Sequence, residues 1–178
     1  MPGAETEGAM ELSRRTMMGA AALAAAGPVA RARAQGAGGA IRLGALTDVS
    51  GPYRDVEGPT GTACVRQAVA EFAAESPDIA VEVVSADHQN RPDVASAIVR
   101  EWFDRGGVDA IVQVGNTAVA LAANTVAREK DKVHLNTGAL SSVLTGPQCS
   151  PNLVHGPLDT WSMSHATATA AVKDGGDT

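Results

Sequence analysis

Val108-Asp109-Ala110-Ile111-Val112-Gln113-Val114 is a nearly continuous apolar run, the pattern of a central parallel strand covered on both faces. Gly115-Asn116-Thr117 follows and leads into a helix whose buried stripe is Val119, Ala122, Ala123 and Val126. The same strand–loop–helix unit recurs on either side. Upstream, Ile41–Leu46 is a short apolar strand stopped by the turn signals of Thr47-Asp48-Val49-Ser50-Gly51-Pro52. A helix begins near Gly61, with Val65, Ala68, Val69 and Phe72 at i, i+3, i+4 and i+7. Ile79–Ala86 holds Val81, Val83 and Val84 and reads as a β-branched strand. Pro92-Asp93 opens the next helix, with Val94, Ala97, Ile98 and Trp102 on one stripe and Gly106-Gly107 as its stop. Downstream, Lys132–Leu135 is a fourth strand, Leu153–His155 a fifth, and Trp161–Lys173 a fourth helix. This alternation predicts right-handed crossovers and an α/β fold with a doubly wound parallel sheet. In such sheets a ligand lies beyond the carboxyl ends of the strands, where the strand order switches. Three loops are placed there: Thr47–Thr60, Gly115–Ala118 and Asn136–Ser142.

Composition narrows the function. The 178 residues carry 20 acidic and 14 basic side chains, a formal net charge of −6. That balance argues against a nucleic-acid partner, because phosphate contacts need a basic patch. The five aromatics (Tyr53, Phe72, Trp102, Phe103 and Trp161) are too few for a base-stacking platform. No uncharged apolar run approaches the ~20 residues that span a bilayer.

Residues 1–34 read as an export signal and stand apart from the fold. Arg14-Arg15 precede an uncharged stretch from Thr16 to Ala30, and Ala32-Arg33-Ala34 presents small residues at alternate positions for a signal peptidase cutting near Ala34. Ser13-Arg14-Arg15-Thr16-Met17-Met18 resembles the twin-arginine export motif, with Gly19 where lysine is common and Met17 where phenylalanine is common. Such a segment can also be read as a tail with a short apolar helix. Without it the chain holds 17 acidic and 10 basic residues, a net of −7. Residues 35–40 (Gln-Gly-Ala-Gly-Gly-Ala) read as a flexible leader.

The motifs of several enzyme classes are missing from the sequence. There is no Gly-x-Gly-x-x-Gly after the first strand, no Gly-x-x-x-x-Gly-Lys-Ser/Thr, and no Gly-x-Ser-x-Gly. His88, His134, His155 and His165 lack metal-ligand spacing, so neither a metal nor another cofactor is expected. Cys64, on a helix near apolar residues, reads as a small buried hydrophobe; it could also pair with Cys149, or either with a cysteine further on. The stronger signal is in the three loops. Ser50-Gly51-Pro52 and Gly115-Asn116-Thr117-Ala118 each precede a helix with small residues that let a ligand approach the backbone. Free N–H groups at a helix start favour a carboxylate, and Thr137 to Ser142 add hydroxyl donors. Each loop alone is better explained by helix capping through Asn116 or Thr117 and by ordinary turn chemistry; the convergence of all three on one predicted edge is what points to a ligand.

Ile41-Arg42-Leu43-Gly44 through Ser50-Gly51-Pro52, Ser85-Ala86-Asp87-His88-Gln89-Asn90, and Leu144-Thr145-Gly146-Pro147-Gln148-Cys149-Ser150-Pro151-Asn152 resemble the type I periplasmic solute-binding proteins, and within them the leucine/isoleucine/valine-binding branch that serves ABC importers. The resemblance runs from Ile41 to Thr178 and implies two α/β lobes that close on a ligand. Residues 41–158 would be lobe one, incomplete, and residues 159–178 the hinge exit and first helix of a second, truncated lobe. Carried over by position, an amino acid's carboxylate would be held by Ser50 and Gly51, Asn116 and Thr117, and Ala139 and Ser141, with Tyr53 as the first-loop aromatic. Asp87 would shape its loop; Leu140 departs from the small or hydroxyl residue common at its position. The implied role is non-enzymatic: a periplasmic protein capturing an amino acid or similar small carboxylate for a membrane permease. A ligand-sensing receptor domain of the same fold, or an exported α/β enzyme whose catalytic half lies elsewhere, are the alternatives.

Overall fold

The computed structural model describes residues 39–176. The export signal expected at residues 1–34, and all but the last two residues of the leader, lie outside the described residues. Five strands, β1 (Ile41–Thr47), β2 (Val81–Asp87), β3 (Ala110–Gln113), β4 (Val133–Asn136) and β5 (Leu153–His155), alternate with α1 (Gly58–Glu75), α2 (Pro92–Asp104) and α3 (Thr117–Glu129); α4 (Thr160–Lys173) follows β5. All neighbouring strands pair in parallel in the order β2-β1-β3-β4-β5. The order reverses between β1 and β3, which opens a crevice at their carboxyl ends.

The centre of the sheet is buried because β3 is apolar on both faces: Ile111 and Val112 lie under helices, with Ala45 and Leu46 beside them on β1. α2 and α3 supply one covering layer through Ala95, Val99, Val119, Ala120, Ala123 and Val126. The α2 stripe runs Ala95, Ile98, Val99, Trp102, one residue on from its expected start at Val94, and Ala97 is exposed. Trp102 fixes this register. Its indole lies so close to Gly44 of β1 that a Cβ there would approach the ring to 2.5 Å.

α1 departs further from expectation. It starts three residues earlier than Gly61, with Pro59 in its first turn. The stripe is half-buried at Val65 and Val69 and exposed at Ala68 and Phe72, while Gly58 and Thr62 are the buried positions. Periodicity identifies an amphipathic face but not whether anything packs on it. Cys64 is a second correction: it is exposed, as is Cys149, and both are free thiols. α4 has no buried residue, and Trp161 is 65% exposed.

Candidate functional site

Beyond the carboxyl ends of β1, β3 and β4 lies a cavity of ≈ 830 Å³, within the size range of small-molecule sites. Three chain segments wall it: Tyr53, Val56, Glu57, Gly61 and Cys64 after β1; Gln113 and Gly115 to Ala118 after β3; and Thr137, Gly138 and Leu140 after β4. This is the predicted switch point.

The chain reaches the cavity through an unusual turn. Gln113 and Val114 both have left-handed backbone, with φ of 79° and 67°, costly for any residue and most so for a β-branched one. Asn136 holds this turn. Its fully buried side chain donates to the carbonyls of Gln113 (3.1 Å) and Val114 (2.9 Å), and its Oδ1 accepts the N–H of Ala139 (3.1 Å). One amide thus fixes the loop after β3 against the loop after β4. Gly138 packs on Gly115 so tightly that a Cβ at Gly138 would meet the Gly115 Cα at 2.7 Å. Gly115 in turn donates its N–H to the Glu57 carboxylate.

Asn116 caps α3: its Oδ1 accepts from the N–H groups of Ala118 (2.8 Å) and Val119 (3.2 Å). The N–H groups of Asn116, Thr117 and Gly138 take no acceptor among the described residues. Capping and donation are therefore not exclusive here, since the cap serves the second and third turn positions and leaves the first donors open. Their residues line a cavity whose wall carries no Lys, Arg or His among the described residues, so an anion there would rely on backbone dipoles.

The structure distributes the seven expected ligand contacts unevenly. Tyr53, Asn116 and Thr117 line the cavity. Ser50 and Gly51 do not; the Gly51 N–H is directed to Asp48 Oδ1 at 2.6 Å, and Asp48 Oδ2 takes the Tyr53 N–H at 2.9 Å. Ala139 is fully buried, its N–H bonded to Asn136 and its carbonyl 2.7 Å from His155 Nε2. Ser141 turns its hydroxyl to the Val143 N–H. Their neighbours Gly138 and Leu140 take the wall positions instead. Sequence reasoning did not single out Glu57, Gln113 or Gly138. The available signal was the set of glycines (Gly61, Gly115, Gly138) that mark close approach between loops.

Comparison with known proteins agrees with this fold. A family model described as periplasmic binding protein matches residues 40–178, and the chain belongs to that family. A periplasmic binding protein from Burkholderia mallei is 44% identical, with a TM-score of 0.72 over 77% of this chain and 36% of its own. A branched-chain amino acid ABC transporter periplasmic ligand-binding protein from Burkholderia xenovorans is 36% identical, with a TM-score of 0.71 over 76% of this chain and 36% of its own. An ABC transporter solute-binding protein from Rhodopseudomonas palustris, solved with 3,4-dihydroxybenzoic acid, shares the fold at 20% identity, with a TM-score of 0.69 over 76% of this chain and 37% of its own. The chain therefore spans little more than a third of the length of these structures. No curated protein matches it.

Proposed function

We propose that this chain carries one lobe of an exported solute-binding protein that captures an amino acid or related small carboxylate and passes it, unchanged, to the permease of an ABC importer. The observation that carries this reading is the row of open N–H groups at Asn116, Thr117 and Gly138, placed at the sheet's switch point on a cavity of small-molecule size. Such donors are preorganised for a carboxylate. Tyr53, Val56 and Leu140 give the wall an apolar part for the ligand's body. In this reading residues 41–158 form the lobe, residues 159–178 lead into a second one, and closure of the two completes the grip.

Calorimetry and thermal unfolding of the full-length protein with L-leucine, L-isoleucine and 3,4-dihydroxybenzoate test it. At least one of these is expected to bind saturably and to raise stability by about 2.7 kcal/mol at a concentration 100-fold above Kd, and to be recovered chemically intact. Absence of binding by these and by other small carboxylates contradicts the proposal. Export through residues 1–34 belongs to the same reading: intact-mass analysis of the periplasmic protein is expected to place the first residue near Gln35, and a cytoplasmic, uncleaved product contradicts it.

A further inference from the structure

A carboxyl group stands where an anion is to be received. Glu57 is 9% exposed and forms part of the cavity wall. It occupies the N-cap position of α1 without capping that helix, and is turned instead to the Gly115 N–H. Gly115 directly precedes the open donors of Asn116 and Thr117, so an anion on those donors has the Glu57 carboxyl as a neighbour across a single glycine.

The other charged and titratable groups around Glu57 do not neutralise it. Asp48, from the same loop, is buried and of like charge. His88, from the loop after β2, accepts the Asn90 N–H on Nδ1 at 3.0 Å, which leaves its proton on Nε2, 3.8 Å from Glu57 Oε1 and beyond hydrogen-bond reach. Glu57 Oε1, His88 Nε2 and Gln113 Oε1 are all buried and have no partner among the described residues. Tyr53 and Cys64 complete the titratable groups of the wall. Burial pushes the Glu57 carboxyl above its ordinary range, against the Gly115 hydrogen bond, and Asp48 adds to the rise. A bare carboxylate entering this cavity adds a second negative charge with no cation at hand, whereas a ligand with an ammonium or hydroxyl group next to its carboxylate turns the positive end of a dipole toward the Glu57 carboxyl and offsets that repulsion.

We propose that Glu57 is the specificity determinant of this cavity, selecting acids that bear an ammonium or hydroxyl group adjacent to the carboxylate over carboxylates without one. The inference rests on the solute-binding reading above. Two probes of equal carbon skeleton test it in the full-length protein: L-leucine, and 4-methylpentanoate, which lacks only the amino group. At pH 7 the parent protein is expected to prefer L-leucine by at least about tenfold. Glu57→Gln keeps an acceptor for the Gly115 N–H and removes the charge; it is expected to weaken L-leucine by about tenfold and to strengthen 4-methylpentanoate. Glu57→Asp retains the preference. A second readout needs no variant: lowering the pH in the parent protein erodes the preference as the carboxyl protonates. Equal losses for both probes in Glu57→Gln, with a pH-independent preference in the parent, would mean a purely structural role and overturn the inference while leaving the binding reading intact. A parent protein that binds donor-free acids in preference also overturns it. One that binds no small acid overturns both.

Discussion

Asn136→Ala is expected to destabilise the full-length protein by about 3 kcal/mol and to loosen the cavity with it. The side chain is 1% exposed and makes three hydrogen bonds, to the Gln113 and Val114 carbonyls and from the Ala139 N–H. Removing it strands the Val114 carbonyl and the Ala139 N–H, each costing about 1–3 kcal/mol when left unpaired and offset in part by local relaxation and water entry, while the Gln113 carbonyl keeps the Thr137 N–H at 3.3 Å. The two carbonyls belong to the left-handed turn at Gln113 and Val114, which persists only while its surroundings hold it. Ligand affinity therefore falls together with stability. Urea unfolding should show a lower midpoint with an unchanged slope, and a loss under about 0.5 kcal/mol would mean that the turn is held by something else. Asn136→Asp is expected to be worse at neutral pH, since it aims an oxygen at two carbonyl oxygens.

The second large effect is acid lability through His134. This residue sits in β4, fully buried, with neither ring nitrogen hydrogen-bonded among the described residues. Burial depresses its pKa from 6.5 to about 4. The folded state therefore keeps it neutral while the unfolded chain takes up a proton. Its contribution is fully present above pH 6.5 and is lost as the pH falls from there toward 4, amounting to about 3 kcal/mol. His88, also lowered chiefly by burial, adds in the same direction. Glu57 acts oppositely, because its raised pKa favours the folded state as it protonates. Asp93 and Asp159, held low by hydrogen bonds from Arg91 and from the Ser162 N–H, matter only below about pH 3.8. His134→Leu isolates the histidine. The variant is expected to lose about 3 kcal/mol less than the parent between pH 7 and 4; parallel pH profiles would contradict this.

The pattern of strands and helices was legible because each element carries its own signal. The apolar run at Ile111–Val112 and the β-branched run at Val81–Val84 announce strands without help from the rest of the chain. The crevice followed from that order, and with it the loops of Tyr53, Asn116 and Thr117. Hydrogen-bond partners across loops were not legible. Gly51 and Ala139 look like donors in sequence, but Asp48 and Asn136 reach them first. Glu57 reaches Gly115, 58 positions away, only because β1 and β3 are adjacent in the sheet. The α1 face failed for a related reason: Phe72 is 40% exposed because burial depends on a covering surface that periodicity cannot report.

Open backbone donors receiving a carboxylate are the core of the proposed binding mode. Backbone amide shifts of the full-length protein, followed by NMR during titration with whichever small acid binds, test this most directly. The N–H resonances of Asn116, Thr117 and Gly138 are expected to move furthest and downfield, with Gly51 and Ala139, already bonded within the protein, moving little. Saturable binding that leaves those three resonances in place, or moves the Gly51 and Ala139 amides instead, would contradict it.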